Sequence, residues 1–189
     1  YIQNATPLKL IAYLKRFMPK DPLHRLDLCS SPGGKLLAVS YLYPEAKLFG
    51  NDLSKKRLKR LEQNMGKYEV EATFTNYSAQ EFPQDRKFDL IILDVPCSNT
   101  GVFHKKPEAR WNLSKESLNQ LINLQYEILE HAKTLLSPNG QIWYMTCSIL
   151  KEENEKVIEK AQMKTIATPL TIFPDVQGFD GGFATSLSF

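Results

Sequence analysis

A chain of 189 residues with 42% hydrophobic and 24% charged side chains has enough apolar material for one core and suits a single domain. No apolar run nears the ~20 residues of a membrane span, and Tyr1 to Thr6 lack the basic and apolar regions of a signal peptide, so no membrane partner is expected. The formal charge of +3 tolerates a polyanion without demanding one.

Thr6-Pro7 reads as an N-cap followed by proline at the first helical position. Leu10, Ile11, Leu14, Phe17 and Met18 then recur with helical period until Pro19 and Pro22. His24 to Cys29 is a short apolar strand running into Ser30-Ser31-Pro32-Gly33-Gly34-Lys35, and a helix follows through Leu36, Leu37, Val39 and Leu42. Lys47 to Asn51 is a second strand closed by Asp52. Ser54 caps the next helix, which carries Leu58, Leu61 and Met65 on one face and stops near Gly66. Glu71 to Thr75 is a third strand, and Phe88 to Leu93, ending at Asp94, is apolar enough to be buried on both faces. Ser114 caps a long helix in which Leu118, Leu121, Ile122, Gln125, Ile128, Leu129 and Leu136 fall at helical spacing; Ser137-Pro138-Asn139-Gly140 then turns the chain into a strand from Gln141 to Met145. A charged helix from Lys151 to Met163 precedes a β-prone tail, in which Gly178 to Phe183 turns between two final strands. This alternation predicts an α/β fold: a doubly wound, mostly parallel sheet with an antiparallel C-terminal edge.

In such a sheet, ligands bind beyond the carboxyl ends of the strands. Cys29, Cys97 and Cys147, with Asp52 and Asp94, all fall at or just after predicted strand ends. The cysteines form no CxxC pair and no zinc-ligand spacing with His24, His104 or His131. No metal site is therefore expected, and a reducing cytoplasm with free thiols is the simplest compartment. Free cysteines are usually core residues, so position alone leaves packing open for Cys97 and Cys147.

The adjacent glycines of Ser31-Pro32-Gly33-Gly34-Lys35 let a ligand approach the backbone, and amides at the helix start can meet a carboxylate. The stretch is neither GxGxxG nor a Walker loop. Asp52, nineteen residues beyond Gly33, can accept hydrogen bonds from ribose hydroxyls, or can simply cap the helix ahead of Ser54. Loop and acid imply a nucleoside cofactor and leave a dinucleotide and S-adenosylmethionine both open. Asp94-Val95-Pro96-Cys97-Ser98 leaves one buried strand and Thr146-Cys147-Ser148 leaves the next. If those strands are neighbours, both thiols face one cleft. The basic run of Lys55, Lys56, Arg57, Lys59 and Arg60 reads first as a solvated helix face.

Over nearly its whole length the chain resembles the Sun (Fmu, RsmB-type) family of RNA cytosine-5 methyltransferases. Tyr1-Ile2-Gln3-Asn4-Ala5 is similar to the family's opening motif, and Leu26-Asp27-Leu28-Cys29 with the glycine loop through Lys35 to its cofactor loop. Asp94-Val95-Pro96-Cys97-Ser98, with Lys106-Pro107-Glu108-Ala109-Arg110-Trp111 behind it, matches the Pro-Cys motif. Tyr144-Met145-Thr146-Cys147-Ser148, followed by Glu152, Glu153 and Asn154, matches the Thr-Cys motif, and Asp180-Gly181-Gly182-Phe183 resembles the closing motif. Two positions depart from the pattern. Ser78 stands where the family has an acid after the third strand, and Gly182 replaces the first phenylalanine of the closing motif.

The resemblance implies a Rossmann-like methyltransferase fold, S-adenosylmethionine as cofactor, and RNA as partner, ribosomal first and transfer RNA next. It also implies a cytoplasmic enzyme, expected to act as a monomer. It assigns attack to Cys147, product release to Cys97 and a hydrogen bond to cytosine nitrogen 3 to Asp94. Lys35 is either catalytic or an orienting partner of Asp94, and Asp27 either positions the loop or ends a strand. The implied cofactor set is Cys29, Ser31, Pro32, Gly33, Gly34, Lys35, Asp52, Arg57, Ser78 and Asp94. Residues 1–189 are expected to form one methyltransferase domain of a longer protein, without the RNA-binding domain such proteins often carry upstream.

Cytosine chemistry requires one such thiol. Carbon 5 is too weak a nucleophile until a thiolate adds at carbon 6 and makes it enamine-like. A free thiol is only about 3% thiolate at pH 7, so the site must favour ionisation. Chemistry alone does not choose between the cysteines: DNA cytosine methyltransferases attack from a Pro-Cys motif, which would favour Cys97. Arg110 and Trp111 either meet RNA or pack. Two other readings remain, a catalytically weak RNA-binding module and a nicotinamide-dependent dehydrogenase, the latter leaving both thiols idle.

Overall fold

Helix and strand alternate along the chain as α1 (Ala5–Lys15), β1 (His24–Asp27), α2 (Gly34–Leu42), β2 (Lys47–Asn51), α3 (Lys55–Lys67) and β3 (Thr73–Thr75). They continue as β4 (Phe88–Asp94), α4 (Lys115–Leu135), β5 (Leu136–Thr146), α5 (Glu155–Ala161), β6 (Lys164–Ile172) and β7 (Gly182–Ser188). These come from a computed structural model that describes residues 4–18 and 20–189; Tyr1, Ile2 and Gln3 of the opening motif, and Pro19, lie outside the described residues.

The seven strands form one sheet in the order β3-β2-β1-β4-β5-β7-β6. Strands β1 to β5 pair in parallel, while β7 runs antiparallel between β5 and β6. The doubly wound sheet with an antiparallel edge is thus the fold. The order reverses between β1 and β4, which opens a crevice at their carboxyl ends.

Period-two alternation sends successive side chains to opposite faces. Leu90, Ile92, Trp143 and Met145 pack under α1 and α2 with Leu10, Leu14 and Val39. Their neighbours Ile91, Leu93, Ile142 and Tyr144 pack against α4 and α5 through Ile128, Leu129 and Val157. A buried leucine or isoleucine contributes about 1.5–3 kcal/mol, so both faces hold the central strands. Arg25 on β1 is also fully buried. Its guanidinium donates to the carbonyls of Pro22, Val39 and Tyr43, which places a cation at the C-terminal end of α2. Burial lowers its pKa to about 10.

Several boundaries differ from the sequence-based expectation for tertiary reasons. Helix α1 starts two residues earlier than Thr6-Pro7 implied, capped by Asn4, whose side chain accepts from the Thr6 amide. The Thr6 hydroxyl instead donates to the carbonyl of Asp180. The segment Ser137-Pro138-Asn139-Gly140 belongs to an irregular β5: Leu136 pairs with Phe88, and regular register with β4 resumes at Gln141. The first and third strands and the last helix are shorter than expected, α5 beginning only at Glu155.

Candidate active site

Adjacent β4 and β5, in register at Asp94 and Met145, end side by side and deliver the loops that follow them to one crevice. Cys97 and Cys147 leave these ends with their sulfurs 3.1 Å apart. Protonated Cys147 donates to Asn99 Oδ1 at 3.1 Å, and the same oxygen accepts from Lys106 Nζ at 3.2 Å. Asn99 sits in the left-handed region at φ 61°, which turns the loop back so that its Nδ2 donates to the Cys97 carbonyl.

The two thiols are not equivalent. The Cys97 S–H donated to Cys147 stabilises the Cys147 thiolate and, against the opposing effect of burial, holds its pKa below the ordinary thiol value; Lys35 and Lys106 add to this. That same hydrogen bond and burial push Cys97 well up, so it stays protonated. Replacing Cys97 by alanine should therefore raise the pKa of Cys147. Alkylation of Cys147 by iodoacetamide, followed by peptide mass spectrometry against pH, should slow several-fold at neutral pH and recover in alkali. An unchanged profile would show that Cys97 does not govern the ionisation.

Lys35 at the start of α2 contacts Asp94 at 2.6 Å. Burial disfavours the ammonium, but Asp94 outweighs it and the pKa of Lys35 is raised, so the lysine is a fixed cation. Beneath it, Asp27 is buried with neither oxygen in a well-formed hydrogen bond. Burial, then the nearby Asp94 charge, raise its pKa to about 7. Lys35, Asp94, Cys147 and Asp180 together wall a narrow void of about 50 Å³.

Beside it, across the switch point, lies a cleft of about 460 Å³. Cys29, Ser31, Pro32, Asp52, Arg57, Asp94, Cys97 and Cys147 line it. Asp52 is only 1% exposed. Its oxygens accept from the amides of Ser31 and Ser54 and pair with Arg57 at 3.0 Å, which combines the capping and cleft-lining roles. Gly33, Gly34 and Ser78 are not part of that lining. Gly33 has φ 103°, and a Cβ there would come within 2.6 Å of Leu61 in α3, so close helix packing by itself requires the glycine. The Ser78 hydroxyl turns to Gln80 Oε1 at 2.8 Å, while Ala79 and Gln80 reach the cleft wall. Cys29 lies in the cleft wall, but burial pushes its thiol pKa far up and leaves it inert. The basic face of α3 is exposed apart from the Arg57 contact. Trp111 is 89% exposed rather than packed, and Arg110 lies over the Phe103 ring at 5.3 Å.

Sequence reasoning missed how the loops are joined. Glu153 is fully buried; it accepts from the Ser98 amide at 2.8 Å, the Ser98 hydroxyl at 2.5 Å and Gln125 at 3.0 Å. Asn154 accepts from Thr146 at 2.7 Å and donates to the Ser148 carbonyl at 3.1 Å. The signal was the Glu-Asn pair behind the Thr-Cys motif, too short to carry a role by itself. Gly101 stacks backbone on backbone: its amide donates to the Cys147 carbonyl and its carbonyl accepts from Gly181, leaving no room for a Cβ. At Gly182, Thr6 and Leu10 of α1 occupy the space that a larger side chain would need.

Comparison with known proteins identifies the family and agrees with the fold. The sequence model of the 16S rRNA methyltransferase RsmB/F family matches residues 15–187. Ribosomal RNA small subunit methyltransferase B of Salmonella arizonae is 36% identical over 168 residues, covering 87% of this chain and 38% of that protein. The protein of the same description from Enterobacter sp. strain 638 is 32% identical over 200 residues, covering 98% of this chain and 46% of that one. This chain therefore spans less than half the length of either relative. The crystal structure of NSun6 from Pyrococcus horikoshii with SFG shares the fold, with a TM-score of 0.84 at 23% identity, over 99% of this chain and 52% of that one. On these sequence matches, the chain belongs to the RsmB/F family of 16S rRNA methyltransferases.

Proposed function

We propose that the chain methylates carbon 5 of a cytosine in RNA, using S-adenosylmethionine and Cys147 as the nucleophile. Small-subunit ribosomal RNA is the preferred substrate, after the relatives' names, and transfer RNA the next. The observation that carries the reading is the thiol pair with its sulfurs 3.1 Å apart beside the Lys35–Asp94 ion pair, a geometry that lowers the pKa of Cys147 and raises that of Cys97.

The cleft suits the cofactor on three grounds. Its volume falls in the range of small-molecule sites. Asp52 accepts bonds on both oxygens yet keeps lone-pair capacity for a ribose hydroxyl. Leu28, Ala79, Leu124 and Ile128 offer apolar wall for a base. When bound, S-adenosylmethionine supplies an electrophilic methyl group.

The chain's own residues do the rest. Cys147 thiolate adds to carbon 6 of the cytosine, forming a carbon–sulfur bond and giving carbon 5 enamine character. As the thiolate adds, nitrogen 3 takes up a proton from solvent, and Asp94, held by Lys35, orients the ring by accepting from that N–H; the proton is given back when the thiolate leaves. After methylation, carbon 5 loses its proton to a base, the Sγ–C6 bond breaks and the thiolate returns. Cys97 sits where it can serve that release.

Calorimetry should detect S-adenosylmethionine binding, and tritiated cofactor should label transcribed small-subunit ribosomal RNA at 5-methylcytosine mapped by bisulfite sequencing. No binding at millimolar cofactor would sink the enzyme reading and leave an RNA-binding module in its place.

A further inference from the structure

A second hollow of about 430 Å³ adjoins the catalytic cleft. Cys97, Asn99 and Leu124 line both, so Cys97 of the thiol pair is part of the wall they share. Its outer wall comes from the segment after the helical turn Pro107–Arg110, and its floor from the first turns of α4.

No charged side chain lines this hollow. Leu113, Leu121 and Leu124 supply apolar surface, and the side-chain amides of Asn112 and Gln120 hydrogen-bond to nothing among the described residues. Positive charge lies outside it, on exposed Lys105, Lys106 and Arg110. This arrangement separates the two chemistries of a nucleotide: a neutral, flat base with polar edges, and an anionic phosphate that basic groups hold without reading sequence.

We infer that this hollow binds the nucleobase adjacent to the target cytosine and selects it through Asn112 and Gln120. The inference rests on the RNA methyltransferase reading above. A cytosine entering the crevice must leave its stack, and its neighbour then loses a stacking partner. The leucines replace that apolar contact. A side-chain amide presents a donor and an acceptor side by side, which matches the paired polar groups on a base edge. The shared wall at Cys97 and Asn99 places the neighbouring base one step from the reacting one. A free phosphate is the poorer occupant, since a neutral lining gives it no counter-charge.

The test is a library of short RNAs with a central 5-fluorocytosine flanked by randomised nucleotides, incubated with this chain and S-adenosylmethionine. Fluorine at carbon 5 blocks the final proton loss, so reacted RNA stays covalently attached and can be sequenced. The expected result is enrichment of particular bases by at least ~5-fold at one adjacent position, falling below ~2-fold in both Asn112→Ala and Gln120→Ala, as expected of bidentate base contacts. Both residues are exposed, so folding is retained and is checked by circular dichroism. A flat profile in the unaltered chain, or an enrichment the two variants leave unchanged, overturns the inference. Absence of any attached RNA overturns the methyltransferase reading itself and this inference with it.

Discussion

Cys147→Ala should abolish covalent trapping on 5-fluorocytosine RNA, whereas Cys97→Ala should still attach. Removing a catalytic nucleophile costs at least about 10³-fold in rate, because no other group can form the bond to carbon 6. Cys97 cannot substitute well: its hydrogen bond to Cys147 and its burial keep it protonated, and a thiol is a poor nucleophile. With ordinary cytosine RNA, Cys97→Ala should accumulate the covalent complex, since its proposed role is in release. Denaturing electrophoresis of labelled RNA with each variant reads both outcomes. The reverse pattern would make Cys97 the nucleophile.

Glu153→Ala should cost about 3–5 kcal/mol of stability, far more than its place outside the crevice would imply. The substitution leaves the Ser98 amide buried without its acceptor, at about 1–3 kcal/mol for an unsatisfied group. It also removes two further bonds to a charged acceptor, after which the Ser98 hydroxyl keeps only its longer contacts to Thr100 and Ser148 and Gln125 keeps only the Pro96 carbonyl. Partial relaxation keeps the total below a simple sum. In a domain of this size the expected fall in melting temperature is about 10 °C or more. Glu153→Gln should do much less harm, because its carbonyl still accepts from Ser98 and its amide can donate to the hydroxyl. Thermal unfolding followed by circular dichroism compares the two, and a shift below about 3 °C for the alanine variant would show that the network is not a stabilising clamp. The loop bearing Cys97 also loses its anchor, so release should slow more than attachment.

Much of the fold was legible because apolar periodicity is written locally. Leu90 to Leu93 and Ile142 to Met145 are unbroken apolar runs whose successive side chains alternate in face, and both belong to strands buried on two sides. Ser54 and Ser114 cap their helices as their positions implied. The boundaries that moved are those where a local signal competes with a distant partner. Thr6 has the chemistry of a cap, but its hydroxyl is drawn to Asp180, 174 residues away. Asn154 and the residues before it are helix-compatible, yet Asn154's side chain is committed to Thr146 and Ser148.

The sequence by itself determined that an acid and two thiols leave buried strands, and its motifs determined the family. It could not distinguish the thiols, because a cysteine's ionisation depends on what donates to it and how deeply it lies. Only the tertiary structure placed β4 beside β5, brought Cys97 within hydrogen-bond distance of Cys147, and fixed Lys35 on Asp94. Those contacts join residues about fifty positions or more apart in the chain. Strand order creates them, and strand order is settled by packing both faces of the sheet at once.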